Sequence, residues 1–202
     1  MSKVRSALTS GALAVAAVAL MPIPASAHFV PAPCDFVTSG GFVFKDDGAR
    51  VNFGAHGGCK NGAFWGHVNV VDHGGFNGAT PYHIDSTEIT GYLMDPAFPN
   101  ARDICGVART NAGETVRFRV RLEDNGEGAN APAKDRFGIR LDNGYLVLAR
   151  PLADGGSGGG NVQLHKNNPS TTGPDPAPDE STMCAGLATP DESSPPPPPP
   201  PD

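Results

Sequence analysis

Apolar and polar residues alternate with a period of two along much of this chain. The segment 115–122 shows this most clearly, because its apolar side chains fall on one face while Thr115 and three arginines fall on the other. The segment 136–141 repeats the pattern. Such alternation is typical of antiparallel strands that have one face in the core and one toward solvent.

Turn signals divide the chain into short strands. Asp142-Asn143-Gly144 lies between two alternating runs, and Asn-Gly there predicts a hairpin because both residues tolerate positive φ. We expect strands over 41–45, 50–54, 63–71, 82–93, 103–109, 115–122, 136–141, 145–148 and 161–165. With Gly-rich turns and no convincing helix, the pattern predicts an all-β fold, an antiparallel β-sandwich of about eight or nine strands, with a barrel as the alternative.

The first 27 residues are typical of a cleavable signal peptide. Lys3 and Arg5 give a positive start, residues 7–21 form an apolar stretch, and Ala25-Ser26-Ala27 has the small residues that signal peptidase accepts. The apolar stretch is shorter than the roughly 20 residues that span a bilayer. We therefore expect cleavage before His28, a secreted or extracytoplasmic protein, and no membrane span in the mature chain.

Composition divides the rest of the chain into three parts. Residues 28–35 form a short leader, and residues 36–166 form the predicted sandwich, a suitable size for one domain. Residues 167–202 are rich in Pro, Ser, Thr and acidic residues, and end in the proline run 195–201. Such a segment lacks the apolar surface that offsets ordering entropy. We expect a disordered, acidic, proline-rich tail.

The chain contains four cysteines: Cys34, Cys59, Cys105 and Cys184. An even number in an exported chain favours disulfides because that compartment is oxidising. No two of them have the short spacing of a structural zinc site. Three connectivities are possible; the favoured one joins Cys59 to Cys105 inside the core and Cys34 to Cys184 across the ends of the domain.

The charge balance excludes one class of partner. The formal net charge is −6, and six of the acids lie in residues 167–202, where there is no Lys or Arg. Residues 28–166 contain 15 acids and 13 bases, so the folded part is close to neutral. Nucleic-acid binding needs a strong basic surplus, so we expect no nucleic-acid partner.

The arginines of two predicted strands form the first candidate ligand site. If the strands pair, their guanidinium groups project from one side of the sheet and can hold an anionic polymer such as an acidic polysaccharide. The alternative, which we prefer, is a solvated face on which the arginines pair with acidic side chains across strands; the acidic tail can also screen them. The five residues are Arg117, Arg119, Arg121, Arg136 and Arg140.

A second candidate site lies on the predicted strand 63–71. Alternation directs Trp65, His67 and Asn69 outward together. β-Sandwich binding modules stack sugar rings on an exposed indole that has polar groups beside it. The expected partner is an extracellular polysaccharide or another surface protein. The alternative is that a neighbouring loop covers Trp65.

A calcium site is the third candidate. Asp124, Asn125 and Glu127, with Asp135 further along, place side-chain oxygens around a Gly-containing turn, as Ca²⁺ requires. The spacing differs from that of an EF-hand loop. Asp-Asn-Gly is also first of all a turn former, so a purely structural role is the favoured alternative.

Copper is a less favoured candidate cofactor than calcium. Cleavage before His28 gives an amine and an imidazole on one residue, the pair that binds copper in the lytic polysaccharide monooxygenases, which are also secreted β-sandwiches. A third ligand would have to come from another histidine, and no motif selects one. The other histidines are His56, His67, His73, His83 and His165.

A series of short motifs resembles one family. They occur in the order 36–42, 52–54, 66–73, 124–127, 137–139 and 159–165. In this order they are similar to the post-COAP type of domain in secreted bacterial proteins, over about residues 36–166. The chain departs from that pattern at Ser39, where a third glycine is usual, and in the longer insert 76–82. The resemblance implies a compact secreted β-domain without an assigned activity.

No catalytic motif is present: the chain has neither Gly-x-Ser-x-Gly nor His-Glu-x-x-His. The expected function is therefore that of a secreted, non-catalytic β-domain, a binding or structural module. The alternative is an extracellular polysaccharide-active enzyme, either copper-dependent and oxidative or hydrolytic through a pair of carboxylates.

Overall fold

The structure, a computed structural model, describes residues 27–128, 134–155 and 159–191. Most of the predicted signal peptide and the proline run lie outside these ranges. The described residues form nine strands and one short α-helix, α1 (Glu180–Cys184), and none of their helices is long and apolar enough to cross a membrane. The strands are β1 (Phe36–Phe44), β2 (Arg50–Lys60), β3 (Ala63–Asp72), β4 (Tyr82–Asp95), β5 (Phe98–Thr110), β6 (Thr115–Glu123), β7 (Arg136–Leu141), β8 (Leu146–Pro151) and β9 (Gly160–His165).

All nine strands belong to one curled antiparallel sheet. Its order is β8-β7-β6-β5-β4-β3-β2-β1-β9, so the first eight strands form a meander and β9 returns to pair with β1. The two edges approach each other, because Nη1 of Arg150 on β8 donates to the carbonyl of Phe44 on β1 at 2.8 Å. The prediction of an all-β antiparallel fold is confirmed.

The core lies between the two halves of the curled sheet. Phe53 of β2 stacks on Phe137 of β7, with ring centroids 3.9 Å and planes 8° apart. The apolar face predicted for 115–122 also points inward, and its side chains are buried. Full burial of each such side chain stabilises the fold by about 1.5–3 kcal/mol.

Strand β1 begins well before residue 41, and β2 ends well after residue 54, which were their predicted limits. Both contain glycines that obscured the alternating pattern. Gly58 shows the physical reason for one of them: a Cβ there would lie 2.4 Å from the Cβ of Phe36 on the paired strand. Glycine therefore allows β1 and β2 to remain paired beneath the Phe36 side chain.

The disulfide pairing favoured from the sequence is wrong. Cys34 bonds to Cys59, and Cys105 bonds to Cys184. Cys34 lies just before β1, beside the end of β2 that carries Cys59, whereas Cys105 lies on β5, with β3 and β4 between. Disulfides are typical of proteins that fold in an oxidising compartment.

Residues 167–191 are folded onto the sheet, which differs from the predicted disordered tail. The backbone N–H of Asn61 donates to Ser170 O, and that of Gly62 donates to Thr172 O, both at 2.9 Å. Met183 then packs in a small second core with Leu93, Cys105 and Cys184. This apolar anchor and the disulfide hold a segment whose composition alone predicts disorder. Residues 192–202 lie outside the described ranges.

The predicted leader is also integrated into the fold. Phe29 makes an isolated antiparallel bridge with Met94, with backbone hydrogen bonds of 3.2 and 2.8 Å. Cys34 is buried. Both ends of the folded chain are therefore attached to the sheet.

Candidate functional site

The outer surface of the sheet is divided into two faces. We call the outward side of β4–β8 the closed face, because residues 179–191 cross it from Thr90 on β4 to Ala149 on β8. We call the outward side of β9, β1, β2 and β3 the open face. The predicted arginine site lies on the closed face, and the predicted Trp65 site lies on the open face.

Asp103 organises the arginines of the closed face. Its two carboxylate oxygens accept hydrogen bonds of 3.0 Å from Nε of Arg119 and Nε of Arg121. The second carboxylate is Asp95, which accepts from Nη2 of Arg121. Arg119, Arg121 and Asp103 are each no more than 2% exposed. Acidic side chains on β5 and β4 therefore pair with these arginines, as the preferred alternative predicted, but the predicted solvation of this face is wrong because the arginines are buried.

The C-terminal segment covers the same arginines. Nη1 of Arg119 donates to the carbonyl of Leu187 at 2.8 Å and lies 2.8 Å from Glu180 Oε1. Asp191 lies 3.4 Å from Nη1 of Arg121. The expectation of an exposed arginine row for an anionic polymer is wrong for Arg119, Arg121 and Arg140, all of which are buried.

The remaining two arginines of the predicted site, Arg117 and Arg136, are less buried than the other three. Arg117 is exposed, and Arg136 is half-buried with its Nη2 donating to the carbonyl of Ala149 at 2.6 Å. All five arginines point outward from β6 and β7 as predicted, but they differ in exposure: Arg117 is exposed, Arg136 is half-buried and the other three are buried.

The pKa values of two buried closed-face arginines are shifted in opposite directions. Burial lowers the pKa of Arg121, but Asp103 and Asp95 outweigh it, so the pKa is raised. For Arg140, burial is the main influence and the pKa is lowered, with Arg119 also lowering it and Asp191 opposing. Nε and Nη1 of Arg140 have no hydrogen-bond partner among the described residues. Carboxylates therefore stabilise the charge of Arg121, whereas the charge of Arg140 is less well stabilised.

His28 belongs to this buried group of charges. Its backbone N donates to Glu180 Oε2 at 2.9 Å, and its ring Nδ1 lies 2.9 Å from Glu180 Oε1. Its Nε2 lies 3.0 Å from Nη2 of Arg121 and 3.1 Å from Asp95 Oδ2. Each of these His28 atoms faces a carboxylate, and no described contact joins the ring to a second histidine. Copper binding stays a prediction.

The candidate calcium residues connect a loop to β9. Asp135 is buried; its Oδ1 accepts from the backbone N–H groups of Asn125 and Gly126, and its Oδ2 accepts from Val162 N–H. Asp124 Oδ2 accepts from Leu164 N–H at 2.7 Å. These bonds give the two aspartates a structural role.

The surroundings of the same loop raise the pKa of Asp124. Burial raises the pKa of Asp124, and the charges of Asp135 and Glu127 raise it further. The side-chain amide of Asn125 donates to Glu123 Oε2 at 3.0 Å. No group of three or more ligands poised for a metal ion occurs among the described residues. Calcium binding stays a prediction.

The open face brings five ring side chains together. Strand register aligns His165 of β9, Phe36 of β1, Gly58 of β2 and Trp65 of β3 in one row across the strands. The Phe36 and His165 rings are stacked with centroids 4.4 Å apart. We call the following residues the aromatic row: His165, Phe36, Trp65, His56 and His67.

The aromatic row is continuous from β9 to β3. Trp65 lies 6.1 Å from Phe36 and 5.6 Å from His56, and His56 lies 6.2 Å from His67, measured between ring centroids. Trp65 and Phe36 are half-buried and His67 is exposed. Three steps between neighbouring strands, each about 4.8 Å, give the row a length of about 14 Å. Sequence alternation identified Trp65 and His67 but not the rings on β1, β2 and β9.

Polar groups border the aromatic row. His67 Nε2 lies 3.2 Å from Asp85 Oδ1, and the Asn69 side-chain amide donates to the same oxygen at 3.3 Å. The hydroxyl of Thr38 lies 2.8 Å from Nε2 of His165. Burial lowers the pKa of His56, and the neighbouring His67 lowers it further. The half-buried His56 ring therefore stays neutral to a lower pH than a free imidazole.

Two glycines form a floor beside the aromatic row. Gly40 of β1 and Gly54 of β2 are register partners on the outward side of the sheet. Neither has a positive φ. A Cβ at Gly54 would meet nothing within 4 Å, and one at Gly40 would meet only Phe53 O, at 3.8 Å. Neither backbone conformation nor packing requires glycine at these two positions.

The glycine pair has walls on two sides. One wall consists of Thr38 and His56, the next register pair toward the aromatic row. The other consists of Phe42 and Asn52, where the guanidinium of Arg50 lies 3.9 Å from the Phe42 ring centroid. The open face therefore carries a shallow trough across the strands, with backbone as its floor.

Comparisons with protein-family models, with curated proteins and with solved structures found no match for this chain. The resemblance to the post-COAP type of domain stays a prediction.

Proposed function

We propose that this protein is a secreted, non-catalytic β-domain whose open face binds an uncharged extracellular polysaccharide. The observation that carries the proposal is the aromatic row, in which Trp65 and Phe36 lie half-buried on the open face with ring centroids 6.1 Å apart. Aromatic rings held at fixed positions stack on the apolar faces of sugar rings at little entropic cost.

The polar groups near the rings suit sugar hydroxyls. Side-chain amides of Asn52, Asn69 and Asn161 and the hydroxyl of Thr38 lie at outward register positions of the open face. Amides and hydroxyls both donate and accept hydrogen bonds, as a hydroxyl-rich ligand requires. Stacking and amide contacts together define the chemistry of a carbohydrate site.

The charge distribution favours an uncharged polymer over an acidic one. The buried arginines of the closed face are not available to an anionic chain. On the open face, the guanidinium of Arg50 is engaged by Phe42 and by Asn52 Oδ1 at 2.7 Å. Few free charges remain beside the rings, so stacking and neutral hydrogen bonds have to supply the affinity.

The same distribution argues against the hydrolytic alternative. Hydrolysis of a glycosidic bond uses two carboxyl groups that flank the bond. No outward position of β9, β1, β2 or β3 is Asp or Glu; Asp85 of β4 lies at the border and contacts His67. The proposal therefore assigns binding without turnover to this face.

Affinity electrophoresis tests the proposal. Native protein is run through gels that contain a neutral glucan, xylan or mannan, an acidic alginate, or no polysaccharide. We expect retardation by a neutral polymer, and Trp65→Ala and Phe36→Ala should each reduce the association constant about tenfold or more. Arg117→Ala, on the exposed part of the closed face, is the matched control and should bind normally.

Two outcomes would contradict the proposal. One is retardation by alginate alone, which would show that charged groups, and not the aromatic rings, bind the polysaccharide. The other is release of soluble sugars from a neutral polymer, with or without copper and reductant, because a binding module has no turnover.

A further inference from the structure

The carboxylate of Glu180 faces His28 at two atoms. The backbone N of His28 donates to Oε2 at 2.9 Å, and the ring Nδ1 lies 2.9 Å from Oε1. Glu180 is in α1, and its other close partner is Nη1 of Arg119 at 2.8 Å. Contact between the first residue after the predicted cleavage point and a residue 152 positions later connects the two ends of the folded chain.

Glu180 belongs to a cluster of charges that is rich in carboxylates. Asp95, Asp103, Glu180 and Asp191 pair with the guanidinium groups of Arg119 and Arg121, and the first three also lie beside the His28 ring. Because the carboxylates outnumber the guanidinium groups that bind them, a further positive charge next to Glu180 is favoured.

A further positive charge can come from the backbone nitrogen of His28. In an unprocessed chain, this nitrogen belongs to the Ala27–His28 amide and is neutral. Hydrolysis of that bond adds one water molecule, releases the carboxylate of Ala27 and leaves an α-ammonium group on His28. Ala27 is exposed, so the bond is accessible. A hydrogen bond to Glu180 then becomes an ion pair, which is stronger.

We propose that the Ala27–His28 bond is a site of proteolytic processing and that Glu180 binds the α-ammonium group which processing creates. The ion pair completes the buried cluster and fastens α1, with the segment 185–191 that follows it, over Arg119 and Arg121. Removal of the predicted signal peptide then stabilises the closed face. The proposal is independent of polysaccharide binding, because it concerns the closed face and not the open face.

A double-mutant cycle on melting temperature tests the proposal. The processed form starts at His28, and the extended form retains Ala25-Ser26-Ala27. At neutral pH, the processed form should melt about 2–4 °C higher, the shift expected for an interaction of this class in a domain of this size. Glu180→Gln should remove the difference between the two forms. Glu88→Gln, at an exposed position on β4, is the matched control and should preserve it.

Alkaline pH supplies a second measurement that needs no substitution. The groups facing His28 are Asp95 of β4, Asp103 of β5, Arg121 of β6 and Glu180 of α1. An α-amino group has an ordinary pKa of about 7.7–8.0, and a carboxylate partner raises it. The advantage of the processed form is therefore complete below this range and is lost as the pH rises through the raised value.

Three results would overturn the proposal. If the difference in melting temperature persists in Glu180→Gln, its cause is steric hindrance by the extension. If the two forms without the substitution melt at the same temperature, the ion pair does not contribute to stability. An N-terminus other than His28 in the secreted protein, measured by mass spectrometry, would remove the processing site.

Discussion

At the centre of the closed face, Asp103 binds Arg119 through one carboxylate oxygen and Arg121 through the other: Oδ2 accepts from Nε and Nη2 of Arg119, and Oδ1 accepts from Nε of Arg121. The two arginines are neighbours on one side of β6, where the sequence predicts a solvent-facing row. One aspartate therefore converts two candidate ligand-binding residues into structural ones.

Asp103→Asn should destabilise the fold by about 3–5 kcal/mol, because it leaves buried guanidinium groups without their shared counter-charge. Urea unfolding measures this change. Asp85→Asn is the control: its partner His67 is exposed, and the loss should be about 0–1 kcal/mol. Equal losses in the two variants would show that the closed face is not the electrostatic centre of the fold.

Removing the Cys105–Cys184 disulfide should loosen the cover and expose the arginines. In the chain-entropy model, replacement of both cysteines by serine costs about 4–5 kcal/mol for the separation of 79 residues. The Cys34–Cys59 pair, with a separation of 25, costs about 3–4 kcal/mol.

Binding to an anionic resin separates these two variants. The first should gain retention on heparin because Arg119 and Arg121 become accessible, whereas the second should not. Retention that is unchanged in the Cys105→Ser/Cys184→Ser variant would mean that the disulfide does not hold the cover. Hydrogen exchange at Ala149 N–H, which donates to Pro190 O, should accelerate in the first variant only.

Gly54→Thr should stabilise the protein while weakening its affinity for the polysaccharide. Glycine inside a strand costs about 0.5–1 kcal/mol relative to alanine, and no neighbour opposes an added side chain. The same side chain would fill the floor of the trough, a position where close approach of a ligand explains a strand glycine.

Melting temperature and affinity electrophoresis together test the Gly54 prediction. We expect a higher melting temperature and roughly tenfold weaker retardation. Lower stability would show that glycine is needed by the fold, and unchanged retardation would remove the trough from the binding site.

The pKa of Asp95 makes the stability of the protein depend on pH in the acidic range. Burial raises its pKa, but Arg121 and the backbone N–H of Ala97 outweigh burial, so the pKa is lowered below its ordinary value of 3.8. A depressed carboxyl pKa contributes stability that is present above the ordinary value and is lost as the pH falls through the lowered one.

Asp95→Asn should therefore be less stable than the native protein at neutral pH, and its stability should fall less steeply below about pH 4. Urea midpoints measured between about pH 2 and about pH 7 check this. Parallel profiles for the two proteins would show that Asp95 does not contribute to acid unfolding.

Alternation of apolar residues was sufficient to predict all nine strands and the inward side of β6. It also predicted that Arg119 and Arg121 point outward, but not that they are buried. Their cover comes from a segment about 60–70 positions later that is poor in apolar residues, so composition predicted disorder there. The contacts that order it are a disulfide, Met183 and charge pairs, none of which has a periodic signal.

The open face was only partly predictable for a different reason. Trp65 and His67 lie on β3, where alternation is clear, whereas His56 lies among small residues near the end of β2. One signal was available: Asn61-Gly62 joins β2 to β3 with φ values of 51° and 82°, as a tight hairpin turn requires. That turn places His56 opposite His67. Phe36 and His165 depend on the pairing of β9 with β1, which has no local sequence signal.

The single tryptophan of the chain allows the most direct test, because intrinsic tryptophan fluorescence reports on Trp65 alone. Titration with soluble oligosaccharides of the neutral polymer that retards the protein should shift the Trp65 emission to shorter wavelength and protect it from acrylamide quenching. Both changes should saturate at the dissociation constant found by electrophoresis. Saturable binding of the polysaccharide with no change in Trp65 emission or quenching would contradict the assignment of the open face as the binding site.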